Sequence, residues 1–392
     1  MAVVVVLGLV ALLAIRILLS VPGWLRRLRR PEARAIRVVG VGGGGSNAVD
    51  RMVRARIQGV GFVACNTDAQ ALRGSSAEIK LRIGDAVTGG LGSGGDPEIG
   101  RRAAEEDKGR IARALTGADL VFVTAGLGGG TGSGGAPIVA AAARELGALT
   151  IGVATKPFDF EGTQRARIAV AAATELAEQV DALIIVPNDR LADVLPEDTS
   201  VMDAFRAVDD VLLQAVKGII DLVATPGLIN LDFADVRSVM ADAGPALIGL
   251  GVGSGEQRAV EAARQAIGSP LLESSIDGAR AILLNVSGPS NLRLSEVRMA
   301  ANAVRERADP ETNLIFGASF NDALGDNVLI TLIATGLTGS DTTTPERKAR
   351  RPGRGAAREA PAGEAIQSPL LDELELDVPS YTRQKREPTA ED

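Results

Sequence analysis

Two glycine-rich runs, each between an apolar strand-like segment and a helical segment, constrain this chain more than any other feature. The first, Gly40–Asn47, reads GVGGGGSN, and the second, Gly126–Gly135, reads GLGGGTGSGG. Glycine permits positive φ and lets the backbone approach a ligand closely, and a helix start adds unpaired N–H groups and a favourable dipole. Two such loops in one parallel sheet predict that their N–H groups converge on one polyphosphate.

Other sequence motifs indicate which class of polyphosphate the two runs bind. Taken alone, the first run also matches G-x-G-x-x-G, the dinucleotide fingerprint, or an ordinary glycine-rich turn. The Walker pattern G-x-x-x-x-G-K-[ST] does not occur in the sequence. A third glycine-rich run, Gly89–Pro97, is expected to close over the terminal phosphate. The sequence therefore predicts a nucleoside polyphosphate, with a dinucleotide as the alternative.

Strand-like runs alternate with helical stretches, which is typical of a parallel sheet covered on both faces by helices. The predicted strands are Ile36–Val41, Val60–Asn66, Leu120–Ala125, Thr150–Thr155 and Ala182–Pro187, and the predicted helices are Asn47–Arg56, Ile111–Leu115, Pro137–Leu146 and Ala166–Glu178. Residues 200–224 repeat apolar side chains at helical spacing and predict one long helix, stopped by Thr225-Pro226-Gly227. A second αβ region covers about 229–337, with strands at Ala281–Val286, Leu314–Ser319 and Val328–Ala334. The expected fold class is α/β, a Rossmann-like parallel-sheet domain joined by a long central helix to a second, smaller α/β domain.

Composition limits the chemistry that is available. The 392 residues include no histidine and a single cysteine, Cys65, which excludes internal disulfides, Ser-His-Asp triads and histidine-based zinc sites. Any catalysis must use carboxylates, Lys, Arg, hydroxyls, backbone dipoles or a bound Mg²⁺. The formal net charge of −7 argues against general nucleic-acid binding.

Asp232 and Asp235, in the segment NLDFAD just after the long helix, are candidates for that chemistry. Their spacing at a helix start places both carboxylates on the same face. The alternative is that they cap the helix. Because they are far in sequence from the glycine runs, their action on a phosphate would fit the phosphate of the next molecule.

The N-terminal residues 2–25 are apolar apart from Arg16 and are about long enough to cross a bilayer. The apolar residues outweigh the cost of Arg16, which can also extend towards the headgroups. A cleaved signal peptide would carry positive charge before the apolar run, whereas here RRLRR follows it at 26–30. We therefore expect a single-pass anchor within residues 1–30 with the N-terminus outside. The alternatives are a wrongly assigned start codon and a helix lying in the membrane interface.

The motifs occur in an order that resembles one family. GVGGGGSNAV, NTDAQAL at 66–72, GLGSGGDPEIG at 90–100, GGGTGSG at 128–134, TKPFDFEG at 155–162 and NLDFAD at 230–235 follow the order seen in the tubulin/FtsZ family, and most closely in its bacterial cell-division branch. SPLLE at 269–273 and DVPSYTRQ at 377–384 add to the resemblance. It implies a GTP-binding domain at 34–199, a central helix at 200–225 and a GTPase-activating domain at 226–337. Residues 338–366 are rich in Thr, Pro, Arg, Gly, Ala and Glu, and this composition predicts a disordered linker at 338–369. The resemblance implies an adaptor-binding peptide at 370–392.

The resemblance implies GTP and Mg²⁺ as ligands, with GTP bound on one subunit and hydrolysed with the help of the next in a head-to-tail filament. The implied nucleotide-binding residues are Gly42, Gly43, Gly44, Gly45, Ser46, Asn47, Asn66, Asp68, Gly128, Gly129, Gly130, Thr131, Gly132, Glu161, Arg165, Asn188, Phe205, Asp209 and Asp210. Among them, Glu161 and Arg165 would meet the ribose, and Asp209 or Asp210 would accept from guanine N1 and N2. Asp232 and Asp235 would position water and Mg²⁺ against the neighbour's γ-phosphate, a role of positioning and electrostatics.

Several features depart from the family pattern. Asp209 and Asp210 are both acidic where an Asp and an Asn are usual, and Ser133 stands where Thr or Ala is usual. In the expected adaptor-binding segment Asp377–Gln384, Tyr381 and Thr382 stand where bulky apolar residues are usual. The N-terminal anchor is the largest departure, since typical members are soluble.

Three hypotheses follow from the sequence. The first is a membrane-anchored polymerising GTPase at the inner, cytoplasmic face of the membrane. Its expected partners are other copies of itself, the membrane through residues 2–25 and division adaptors through the tail, but not nucleic acid. The second is a nucleotide-binding filament scaffold that does not hydrolyse, and the third is an NAD-dependent oxidoreductase.

Overall fold

The structure is a computed structural model that describes residues 35–224, 231–272 and 275–337. The expected membrane anchor, linker and C-terminal peptide therefore lie outside the described residues. Within them, no helix combines the length and apolarity needed to cross a bilayer. The described strands form a single ten-stranded sheet.

The first half of the chain is a parallel αβ domain, as predicted. Its elements are β1 (Ile36–Val41), α1 (Gly42–Arg54), β2 (Val60–Asn66), α2 (Ala69–Gly74), β3 (Ile79–Arg82), α3 (Asp85–Thr88), α4 (Pro97–Glu106), α5 (Lys108–Leu115), β4 (Leu120–Gly126), α6 (Thr131–Glu145), β5 (Leu149–Lys156), α7 (Thr163–Gln179), β6 (Ala182–Pro187) and α8 (Asn188–Ala192). Strands β1 to β6 pair in parallel.

The second half continues from a long helix into a smaller αβ region. Its elements are α9 (Val201–Val223), α10 (Phe233–Met240), β7 (Gly244–Gly253), α11 (Arg258–Ile267), β8 (Ala281–Gly288), α12 (Leu294–Arg305), β9 (Asn313–Phe320) and β10 (Val328–Thr335). Strand β10 lies antiparallel between β7 and β8, and β9 pairs in parallel with β8. Strand β7 also pairs in parallel with β6 over three residues, which joins the two halves into one sheet. The strand order of the sheet is β3-β2-β1-β4-β5-β6-β7-β10-β8-β9.

The sheet is buried on both faces because its strands are apolar at successive positions. Val38 and Val39, neighbours on β1, belong to two different core clusters on opposite sides of the sheet. Helix α9 supplies much of one cluster, with Val211, Leu212 and Val216 fully or almost fully buried. The Ser200 hydroxyl caps α9 by accepting from the backbone N–H of Asp203.

Two helices begin inside the glycine runs, well before the starts that the sequence predicted. Helix α1 begins at Gly42 rather than Asn47, and α6 begins at Thr131 rather than Pro137. Glycine has a low helix propensity, so the runs read as loops. Close packing between the two runs fixes them as first helical turns, and Pro137 is accommodated inside α6.

The parallel strands all run in one direction, which gives this part of the sheet two distinct edges. The carboxyl edge is where β1, β2, β4, β5 and β6 end, and the amino edge is where they begin. Helix α9 starts near the carboxyl edge and, at 23 residues, extends about 34 Å towards the amino edge. Helix α10 follows it there.

Candidate active site

The two glycine runs meet at the carboxyl edge. A Cβ added at Gly42 would lie 2.7 Å from the backbone nitrogen of Gly132, and one added at Gly44 would lie 3.3 Å from the backbone of Gly126. Gly42 has φ of 72° and Gly128 has φ of 100°, which L side chains rarely adopt. The sequence prediction that the two runs converge is confirmed.

The helix starts at this point are left open for an anion. Neither α1 nor α6 has a side chain capping its N-terminus. Gly43 and Asn47 are exposed on the first turns of α1, and a Cβ at Gly43 or Gly129 would meet nothing within 4 Å. Free N–H groups and the dipoles of two helices of 13 and 15 residues therefore face the same accessible space.

Three buried side-chain oxygens lack partners within the described chain: Ser46 Oγ, Asn188 Oδ1 and Thr124 Oγ1, the last on β4 beside Gly40. Ser46 Oγ, in the first turns of α1, makes no hydrogen bond, and Asn188 Oδ1, at the first residue of α8, accepts none. Ser46 is 3% exposed and Asn188 is 4% exposed. Buried polar groups are normally satisfied, so each unpaired atom is consistent with a group supplied by a ligand.

The segment after β5 brings an ion pair and aromatic rings to the same edge. Glu161 pairs with Arg165, and the backbone oxygen of Arg165 would lie 3.0 Å from a Cβ at Gly128. Glu161 also accepts from the backbone N–H of Phe158 at 2.9 Å. The ring of Phe205, from the start of α9, meets Phe158 edge-on with centroids 5.3 Å apart. The structure thus places Glu161, Arg165 and Phe205 beside the second glycine run.

Asn66 and Asp68 lie at the end of β2, and both have partners inside the protein. Asp68 caps α2 by accepting from the backbone N–H groups of Gln70 and Ala71 at 2.7 and 3.1 Å. Asn66 is 3% exposed, and its side-chain oxygen accepts from the Asp68 N–H at 3.3 Å. These contacts show a structural role for Asp68 at the edge of the site.

Asp209 and Asp210, adjacent on α9, have different surroundings. Asp210 is 1% exposed and forms an ion pair with Arg51 of α1. Asp209 is half-buried and accepts no hydrogen bond from the described residues. Asp210 is thus engaged by the protein, and Asp209 is the carboxyl group that remains available to a ligand.

Burial changes the acidity of the available carboxyl group. Burial, reinforced by the charge of Asp210, raises the pKa of Asp209 to about 7, while Arg51 and Arg54 act in the opposite direction. Asp50 adds a smaller repulsion. Asp209 is therefore about half protonated near neutral pH in the ligand-free protein.

Asp232 and Asp235 lie at the amino edge, away from these residues. Asp232 occupies the N-cap position of α10, yet its side chain makes no capping hydrogen bond, and both carboxylates are exposed. Arg237 of the same helix donates to the backbone oxygen of Gly147, which lies just before β5, at 3.0 Å. Strand β5 has 8 residues and places about 25 Å between this point and the carboxyl edge. The two aspartates therefore do not join the glycine runs of their own chain.

The structure also shows residues that the sequence did not single out. Thr67 and Ser93 place their hydroxyls beside that of Thr131, at 2.7 and 3.0 Å between oxygens. Arg51, the ion-pair partner of Asp210, is another residue that the sequence did not single out. Ser93 lies in the third glycine run, and membership of that run is the one sequence signal that points to it.

Among the described residues, no group of three or more Asp, Glu or Cys side chains is arranged to hold a metal ion. Mg²⁺ usually keeps several waters and is held by substrate phosphates together with one or two carboxylates. The exposed Asp232 and Asp235 are carboxylates of that kind.

Comparison with known proteins agrees with this geometry. Residues 35–196 match the GTPase domain of the tubulin/FtsZ family, and residues 244–338 match the C-terminal domain of the FtsZ family. FtsZ from M. jannaschii, solved as an empty dimer, is 43% identical with a TM-score of 0.76, over 80% of this chain and 91% of that one. A tryptophan-to-tyrosine mutant of the same protein gives 43% identity and a TM-score of 0.77, over 80% and 94% of the two chains.

A more distant structure shares the fold. CetZ2 from Haloferax volcanii, solved as a GTPγS-bound protofilament, is 23% identical with a TM-score of 0.66, over 78% of this chain and 94% of that one.

The fold and the carboxyl-edge site define a two-domain α/β GTPase that takes GTP, releases GDP and uses Mg²⁺. The chain belongs to the tubulin/FtsZ family, and its second domain is of the FtsZ type. Membership of this family supports the GTPase hypothesis and argues against the other two hypotheses, the oxidoreductase and the non-hydrolysing scaffold. The predicted two-domain fold with a mostly parallel sheet is confirmed.

Proposed function

We propose that this chain is a polymerising GTPase of cell division that forms head-to-tail filaments and hydrolyses GTP at the interface between subunits. The observation that carries the proposal is the separation of the two sets of site residues. The binding groups lie at the carboxyl edge, and Asp232 and Asp235 are exposed at the amino edge. A single subunit holds both halves but cannot bring them together.

Head-to-tail stacking resolves this separation. If the amino edge of one subunit docks on the carboxyl edge of another, Asp232 and Asp235 approach the nucleotide of the neighbour. Such a heterologous contact repeats without closing and generates a filament. The similar proteins were solved as a dimer for FtsZ and as a protofilament for CetZ2, which supports assembly of this kind.

In this arrangement, each residue acts by position and charge. The N–H groups at the starts of α1 and α6 hold the phosphates, and the Thr131 hydroxyl adds a donor. Glu161 and Arg165 bind near the ribose, with Asn188 and Phe205 at the same edge. Asp209 accepts from guanine N1 and N2, two donors that adenine does not present together. Asp232 and Asp235 of the neighbour orient the attacking water and hold Mg²⁺.

The dependence of activity on protein concentration tests the shared site. We expect GTP turnover per subunit to rise with protein concentration as interfaces form, while GTP binding per subunit stays constant. Electron microscopy of the same samples should show filaments where turnover is high. Constant turnover per subunit across dilution would contradict the proposal.

We further propose that residues 2–25 anchor the filament to the cytoplasmic face of the membrane, and that Asp377–Gln384 binds division adaptors. The support is the apolar length of the first segment with its basic flank and the sequence of the second. We expect the full chain to float with lipid vesicles and to resist alkaline carbonate extraction, and a chain lacking residues 2–25 not to float. Extraction of the full chain by carbonate would instead indicate a helix in the membrane interface.

A further inference from the structure

Three hydroxyls lie in contact where three loops of the carboxyl edge meet, and two of them have no role in the proposed function. Thr67 Oγ1 is 2.7 Å and Ser93 Oγ is 3.0 Å from Thr131 Oγ1. Thr67 follows β2, Ser93 lies in the third glycine run, and Thr131 begins α6. All three are buried, with exposures of 0%, 7% and 7%. We refer to Thr67, Ser93 and Thr131 as the hydroxyl cluster.

The three loops that carry the hydroxyl cluster are closely packed, so the three side chains have little room to move. A Cβ at Gly130 would lie 2.2 Å from Ser93 Oγ, and one at Gly100 would lie 2.3 Å from the backbone oxygen of Gly130. The N–H of Gly92 donates to the backbone oxygen of Thr67 at 3.3 Å. The three loops thus pack backbone to backbone, and the hydroxyls fill the remaining space between them.

The number of hydroxyl protons in the cluster determines whether Thr131 donates its proton to a neighbouring hydroxyl or to a ligand. Each hydroxyl has one proton to donate and two lone pairs. When no ligand is present, two protons suffice for the two contacts, and Thr131 can donate to either neighbour. When Thr131 donates to a phosphate, both contacts persist only if Thr67 and Ser93 each donate to Thr131. This arrangement uses both lone pairs of Thr131 and polarises its O–H towards the ligand.

We propose that Thr67 and Ser93 are positioning residues that direct the Thr131 hydroxyl proton to a phosphate of the bound nucleotide. This assignment rests on the proposed function, in which the start of α6 binds the phosphates. The ligand is a nucleoside diphosphate or triphosphate, and the two residues do not touch it. They act by orienting the one hydroxyl that does.

A double-mutant cycle on the full chain tests the assignment, with GDP and GTPγS as probes. Ser93→Ala removes one donor, and Thr131→Val removes the hydroxyl that it orients. We expect Ser93→Ala to weaken binding of both probes by roughly 3- to 10-fold, the size of one neutral hydrogen bond. In the Thr131→Val background, the same substitution should change binding by less than about 2-fold. An equal loss in both backgrounds would overturn the assignment, because Ser93 would then act on the loop alone.

Thr88→Ala is the matched control. The Thr88 hydroxyl donates to the backbone oxygen of Gly84 and accepts from Gly90 N–H, so its removal loosens the same loop without touching the hydroxyl cluster. Any effect of Thr88→Ala should be the same in both Thr131 backgrounds. A background-dependent effect of Thr88→Ala equal to that of Ser93→Ala would also overturn the assignment.

Substitutions of Thr67 provide a second test that does not depend on the stability of Thr131→Val. Thr67→Ser keeps the donor and should bind within about 2-fold of the unsubstituted chain, whereas Thr67→Val should lose roughly 3- to 10-fold. Equal losses from both would overturn the assignment. Failure of the unsubstituted chain to bind either probe would instead overturn the proposed function, and the assignment with it.

Discussion

At the scale of single residues, the two carboxyl groups proposed to bind guanine show what a sequence can and cannot provide. The pair Asp209-Asp210 was predicted as the site of base recognition, but not which of the two carboxyl groups is free. The answer depends on Arg51, which is 159 positions away in sequence and pairs with Asp210. Adjacent residues on a helix point about 100° apart. Only the packing of α9 against α1 therefore determines which of the two carboxyl groups pairs with Arg51 and which stays free.

The raised pKa of Asp209 predicts that nucleotide affinity depends on pH. An ionised carboxylate accepts from guanine N1 and N2, and a protonated one lacks that charge. With a pKa of about 7 in the ligand-free protein, the ionised fraction rises about 10-fold between pH 6 and pH 8. GDP affinity measured by calorimetry should therefore rise with pH across this range by up to about 10-fold, with proton release at pH 7.

Asp209→Asn serves as the control, because the phosphates of GDP titrate in the same range. The variant should bind more weakly at pH 8 and should keep only the pH dependence of the phosphates. If the unsubstituted chain and Asp209→Asn show the same pH profile, Asp209 does not contact the base as an ionised group.

At the scale of elements, the long apolar strands and helix α9 were predictable, and the contacts between backbones were not. Strand β7 was missed because GPALIGLGVG is rich in glycine, which weakens strands. Its glycines at 249, 251 and 253 face α11. A Cβ at Gly251 would lie 2.0 Å from the backbone oxygen of Ala262. The close contact between this helix and strand is a tertiary feature, which the local sequence does not reveal. The same holds for the packing that makes the glycine runs the first turns of α1 and α6.

The packing of α11 on β7 predicts the effect of a methyl group. Gly251→Ala should lower the free energy of unfolding by about 1–3 kcal/mol, because the helix must move away from the strand. Urea denaturation should show this as a lower midpoint with an unchanged slope. Gly109→Ala, on α5 where a Cβ meets nothing within 4 Å, is the matched control and should raise stability by about 0.4–1 kcal/mol. Equal effects of the two substitutions would show that the close approach in β7 is not the cause.

At the scale of the whole molecule, one edge of the sheet carries the residues proposed to bind the nucleotide, and the opposite edge carries the candidate catalytic carboxylates. The sequence predicted both groups of residues, and the distance between NLDFAD and the glycine runs already favoured action on a neighbour. Separation along the chain does not measure distance in space, however. The contacts of α10 with Gly147 and of α9 with both edges are what place Asp232 and Asp235 about 25 Å from the glycine runs.

The most direct test of the shared site mixes two variants, each defective in one half. Asp235→Ala keeps the glycine runs, and we expect it to bind GTP without turnover. Gly42→Ala keeps Asp235 but places a Cβ 2.7 Å from Gly132 nitrogen, and we expect it not to bind GTP.

In random filaments of an equimolar mixture, roughly a quarter of the interfaces pair an intact glycine edge with an intact Asp235. The mixture should therefore recover GTP turnover, up to roughly a quarter of that of the unsubstituted chain at the same total concentration. Turnover no higher than that of the two separate variants, in samples where electron microscopy shows mixed filaments, would contradict hydrolysis at the subunit interface.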